Sequence, residues 1–162
     1  MILVSCALDG RSGHEAGRAL LTALYEEAAG QPLPPIVTNP WGKPGFEDNG
    51  WHFSISHTKN HAFCVLAREN VAIDAEEADR RVNLSLADKI LSPPEKAQFD
   101  AAADPNRALL TFWVLKEAAA KLSGRGLQGY PNDTAFSLDD PRVRLMEGCL
   151  VAVMTEGENH AV

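Results

Sequence analysis

Asp74 and Glu76 stand two residues apart in "VAIDAEE" (71–77), and Glu117 and Lys121 stand four apart in "FWVLKEAAAKL" (112–122). On a strand, a spacing of two sends both carboxylates to one face and leaves Glu77 on the other. On a helix, a spacing of four places Glu117 within pairing reach of Lys121. The strand pair together with the helix glutamate offers three oxygen ligands of the kind Mg²⁺ takes, waters and phosphate oxygens completing its octahedron. Both pieces also have plainer readings. A charged run such as "DAEEADRR" is commonly a solvated strand end, and Glu117 with Lys121 is equally a structural ion pair. Taken singly, His57 reads as a turn histidine and Lys43 in "WGKPG" as an exposed loop lysine.

The elements that must position these residues follow from periodicity. Leu110, Trp113, Val114, Glu117, Ala118 and Lys121 share one helical face, while Phe112, Leu115, Ala119 and Leu122 take the opposite one. A helix over 106–123 is thus apolar nearly all round and reads as buried, although it carries Lys116, Glu117 and Lys121. A first helix is expected from His14 to the stop at Gly30. "SPPEKAQFDAAA" carries a capping box, Ser92 as N-cap and Glu95 three residues on. "WHFSIS", "HAFCVLA" and "VAIDAEE" read as strands, with a shorter one at Ile36–Thr38 and another in "MILVSCALDG". Leu84 to Leu91 reads as helical, and "TAFSL", "RVRLM" and "CLVAVMT" as three further strand-like runs. Helices and strands do not alternate regularly, which favours an α+β fold over a doubly wound sheet.

Composition narrows the function classes. The chain has 162 residues, 45% hydrophobic and 23% charged, with a formal net charge of −7. That charge argues against a nucleic-acid partner, and there is no P-loop motif. No apolar run is long enough to cross a membrane, and the N-terminus lacks the basic flank of a secretory signal. Cys6, Cys64 and Cys149 are odd in number and far apart, which argues against a disulfide framework and a zinc site and suits a cytoplasmic location.

"GKP", "FSISHT", "VAIDAEE" and "FWVLKEAAAKLSGRGL" occur in that order, and together they resemble the 4′-phosphopantetheinyl transferases, specifically the two-half, surfactin-synthetase-activating type. The resemblance runs from about Glu15 to about Leu138. It departs from the family pattern at Ser54, Ala72, Ala75 and Val114. The family commonly has a basic segment before the first helix and a further strand after the last, so the chain reads as shortened at both ends.

The resemblance implies two similar pseudo-symmetric halves, residues 1–70 and 71–162, each with antiparallel strands packed on a long helix and an active site in the cleft between them. It implies transfer of the phosphopantetheine arm of coenzyme A to a serine of an apo acyl or peptidyl carrier protein, releasing adenosine 3′,5′-bisphosphate. Asp74, Glu76 and Glu117 would hold Mg²⁺ (or Mn²⁺). Glu117 would also help deprotonate the serine, Lys121 would stabilise phosphate charge, and Lys116, the second family lysine, would contact coenzyme A. Lys43, Ser56 and His57 would contact the adenosine end, and Glu95 matches a further acidic position. With a net charge of −7, docking of an acidic carrier would need a local basic patch, for which Arg80, Arg81, Lys89, Arg107 and Arg125 are candidates. The alternative is a non-catalytic coenzyme A or carrier-protein binding module of the same fold.

Overall fold

The computed structural model describes residues 1–47, 49–126 and 134–157. The chain is α+β. Strand β1 (Ile2–Ala7) leads into helix α1 (Gly13–Ala29), and two short strands follow, β2 (Val37–Thr38) and β3 (Pro44–Gly45). Next come β4 (His52–His57), β5 (His61–Ala67) and β6 (Val71–Glu77). A 3₁₀ turn at Leu84–Leu86 runs into α2 (Ala87–Ile90), then α3 (Pro93–Ala101), the long α4 (Pro105–Ser123), and the hairpin β7 (Val143–Met146) and β8 (Cys149–Thr155).

The helix limits follow local chemistry. Glu15 accepts from the backbone N–H and hydroxyl of Ser12, closing a capping box at the start of α1, and Gly30 ends it in the left-handed conformation at φ 67°. Helix α4 starts behind the Asp104 cap and Pro105 and ends at Gly124, φ 65°.

Two three-stranded antiparallel sheets carry the architecture, ordered β1-β5-β4 and β6-β8-β7. Each has its last strand in the middle, and in each a long helix lies between the first and second strands in sequence. Strand β5 is buried on both faces. Cys64 and Leu66 pack on the α1 side with Leu21, Leu24 and Phe53, whereas Phe63, Val65 and Ala67 meet Val71, Ile73 and Ala75 of β6 and Val151 of β8. The other face of the second sheet, with Ala72, Leu150, Ala152 and Met154, packs on α4.

The sheets are joined by side chains. The Ile73 N–H donates to Ser54 Oγ at 3.1 Å, the Ala75 N–H to Ser56 Oγ at 3.2 Å, and Thr58 Oγ1 donates to Glu77 Oε1 at 2.8 Å. The constant offset of 19 residues means that β4 and β6 run side by side in the same direction. Alternation makes this seam possible: Ser54, Ser56 and Thr58 present their hydroxyls from one side of the strand.

One expected strand is absent. Thr134–Leu138 joins no sheet, because its backbone is taken up by side chains of α3. The Phe136 N–H donates to Glu95 Oε1, the Leu138 N–H to Gln98 Oε1, and the Phe136 carbonyl accepts from Gln98 Nε2.

Candidate active site

Helix α4 is buried along most of its length, but Trp113, Glu117 and Lys121 form a half-buried stripe at i, i+4 and i+8. Glu117 and Lys121 open onto a pocket of about 400 Å³. Its other walls are Trp41, Lys43 and Pro44 from the β2–β3 turn region and Phe53, Ser54 and Ile55 from β4. The end of α4 is held against that turn: Asn39 Nδ2 donates to the Gly124 carbonyl at 2.8 Å, and a Cβ on Gly124 would come within 3.2 Å of both Asn39 and Lys43.

Asp74 and Glu76 lie on the β6 face turned toward α4, in phase with Ala72. Asp74 is buried and accepts from Lys121 Nζ at 2.6 Å and Ser56 Oγ at 3.2 Å. Burial pushes its carboxyl above the usual aspartate range, Lys121 pulls it back, and Glu76 adds to the rise. Glu117 is raised too, first by burial and then by the charges of Asp74 and Glu76. Glu76 pairs with Arg80, one turn further along the chain. Asp74, Glu76 and Glu117 offer only oxygen donors, the kind a hard divalent cation takes, but their ligand atoms do not all lie within 4.8 Å of one another. Lys121, with a side chain 35% exposed, also donates to the Ile73 carbonyl at 3.1 Å.

The remaining residues singled out in the sequence are distributed differently. Lys116 points to the other side of α4, where its Nζ sits 2.9 Å from Glu95 Oε2 with both side chains fully buried. It does not line the pocket. Glu95 is the hub of that interior: it also accepts from the Ser92 N–H and hydroxyl and from the Phe136 N–H. Ser56 belongs to the seam between the sheets. Lys43 gives its Nζ to Asn70 Oδ1 at 2.6 Å and to the Leu122 carbonyl at 3.2 Å, and burial lowers its pKa. His57 lies at the far end of β4, with its ring against the first turn of α1, where a Cβ on Gly13 would fall 2.3 Å from His57 Cγ. Five strand rises, about 17 Å, separate His52 from His57, so Lys43 and His57 mark opposite ends of the strand rather than one point.

Asn70, Trp41, Phe53 and Ile55 were not singled out in the sequence. The alternation of Trp51, Phe53 and Ile55 marks one strand face but not what it meets. The lysine-binding role of Asn70 depends on a contact with residue 122 that no local pattern encodes.

A family model described as the 4′-phosphopantetheinyl transferase superfamily matches residues 70–150. The chain belongs to that superfamily. Phosphopantetheinyl transfer is therefore its general chemistry. The matched stretch takes in Asp74, Glu76, Glu95, Lys116, Glu117 and Lys121, while Lys43, Ser56 and His57 precede it. A search of curated proteins found no match. Among the described residues, no helix is long and apolar enough to cross a membrane.

Proposed function

We propose that the chain is a transferase of the two-half, surfactin-synthetase-activating type. In this reading it moves the 4′-phosphopantetheine arm of coenzyme A to a serine of an apo acyl or peptidyl carrier protein. The observation that carries the proposal is the facing of Glu117 and Lys121, one helical turn apart, on Asp74 and Glu76 of β6 beside an open pocket. Residues 1–70 and 71–162 are read as pseudo-symmetric halves, supported by the shared strand order of their sheets, and the pocket as part of the cleft between them.

Asp74, Glu76 and Glu117 would hold Mg²⁺, which when bound offsets charge on the pyrophosphate. Lys121 stabilises phosphate charge from the opposite side, exchanging its contact with Asp74 for phosphate oxygens. Coenzyme A lies along β4 with the adenine against Trp41, Phe53 and Ile55 near Lys43; its 3′-phosphate, carried on the same ribose, stays at that end, so His57 at the far end of the strand does not contact it. Glu117, raised by its surroundings, accepts the proton of the carrier serine. The serine Oγ forms a bond to the phosphorus bearing the pantetheine arm, and that phosphorus loses its bond to the oxygen of adenosine 3′,5′-bisphosphate, which departs. Such a reaction needs positioning and charge stabilisation more than covalent help from the protein. Lys116 has no part in it and serves the fold through Glu95.

The test is mass spectrometry of apo carrier proteins after incubation with the chain, coenzyme A and Mg²⁺. The expected result is a phosphopantetheine mass gain with stoichiometric adenosine 3′,5′-bisphosphate. Coenzyme A binding without labelling of any carrier favours the binding-module alternative.

A further inference from the structure

At one end of the layer between the two sheets, the apolar rows finish in polar residues. The row on β5 runs Ala67, Val65, Phe63 and then His61; that on β6 runs Val71, Ile73, Ala75 and then Glu77; that on β8 runs Val153, Val151 and then Cys149. Because all three rows keep the period of two, these last residues meet. One ligand-type atom from each of His61, Glu77 and Cys149 lies within 4.8 Å of the other two, the only such His, Cys, Asp or Glu group among the described residues.

We propose that His61, Glu77 and Cys149 bind one zinc-class divalent metal ion, which fastens the β1-β5-β4 sheet to the β6-β8-β7 sheet at the end of the hydroxyl seam. Four observations support this. The donor set mixes nitrogen, sulfur and oxygen, which suits Zn²⁺ and its neighbours and not Mg²⁺. A tetrahedral ion with bonds of about 2.0–2.3 Å sets its ligands about 3.3–3.8 Å apart, and Cys149 Sγ is already 3.8 Å from Glu77 Oε2. His61 Nδ1 is buried and is the one such side-chain nitrogen or oxygen among the described residues without a hydrogen-bond partner. The other oxygen of Glu77 is fixed by Thr58 and by Asn60 N–H and Nδ2, which orients the carboxylate as outer partners orient metal ligands.

This site faces away from the cleft acids, since Glu77 projects from the opposite side of β6 to Glu76. It is therefore independent of the transferase reading. Widely spaced cysteines argue against zinc along the sequence, but three strands of the fold bring one of them to a histidine and a glutamate. Burial pushes the Cys149 thiol up to about 11, so metal binding displaces its proton to the buffer.

The test uses the full chain, reduced and stripped of metal, titrated with Co²⁺. A near-ultraviolet thiolate-to-cobalt band is expected at one equivalent, displaced by Zn²⁺ and not by Mg²⁺. Cys149→Ser removes the band; Cys6→Ser and Glu117→Gln keep it. His61→Gln and Glu77→Gln weaken Zn²⁺ binding by at least about tenfold to a hundredfold. Zinc-edge X-ray absorption of the wild-type complex needs no variant and is expected to show one sulfur ligand. Absence of the thiolate band, its survival in Cys149→Ser, its loss in Glu117→Gln, or a sulfur-free zinc environment each overturns the proposal.

Discussion

Helices α1 and α4 each lie on a three-stranded sheet, yet they treat charge in opposite ways. Helix α1 buries a single stripe, Ala16, Gly17, Leu21, Leu24 and Tyr25, and leaves Glu15, Glu26 and Arg18 toward water. Helix α4 is covered by β6 and β8 on one side and α3 on another, so it has no broad solvent face. Its charges must be answered inside the protein. Successive helical residues point about 100° apart, and this separates Lys116, sealed against Glu95, from Glu117, open to the pocket. A charge on a covered helix is therefore either a closed internal pair or a site group. The partner across the contact decides which it is.

The sharpest way to break the comparison is to open the closed pair. Lys116→Ala or Glu95→Ala should cost about 3–5 kcal/mol, because the remaining charge stays buried without its partner. Urea denaturation reads this directly. Combining Lys116→Met with Glu95→Gln should cost much less than the sum of those same two substitutions made singly, and strict additivity would mean that the two residues do not act as a pair.

On the pocket side the ordering reverses. Lys121→Ala should lower carrier-labelling rate by about a hundredfold or more with a much smaller change in stability, since Asp74 can take up a proton when its cation leaves. A rate near wild type would return Lys121 to a structural role. The comparison is next sharpened at Gly17 of α1, where an added Cβ would lie 2.5 Å from Ile55 Cγ2. Gly17→Ala gains about 1 kcal/mol of helix propensity against an overpacking cost of about 1–3 kcal/mol. A small net loss in thermal midpoint is expected, and a clear gain would show that α1 can lift from the sheet.

The smallest effect is one of pH. Glu117 holds its proton more tightly in the folded state than at the unfolded reference of 4.5, through burial and then through Asp74 and Glu76. As pH rises from that reference through the raised folded value, the folded state is the one that binds more protons, so stability falls across the window and levels off above it. Glu117→Gln removes this term. Its stability relative to wild type should climb with pH over that range, measured by denaturant titration in metal-free buffer. A difference that stays flat with pH would mean that Glu117 is not perturbed.

Much of this arrangement was legible in the sequence because it is local. The capping box at Ser92, the span of α4 and the shared face of Asp74 and Glu76 all follow from spacings of three to four or of two. Three features were not legible. Lys116 and Glu117 could not be told apart, because a helix apolar nearly all round gives no sign of which layer each side meets. "TAFSL" has a strand's composition, but Glu95 and Gln98 claim its backbone from a distant helix. The shared motif order groups Lys43 with His57, although a whole strand lies between them.

The joint between β4 and β6 also gives the molecule an internal clock. The amide protons of Ile73 and Ala75 are held by serine hydroxyls of the neighbouring sheet. Each such bond contributes only about 0.5–1.5 kcal/mol net. Deuterium uptake at these two amides thus counts how often the two sheets part at the seam. Amides laddered between β6 and β8 record the rarer events in which a sheet itself comes undone.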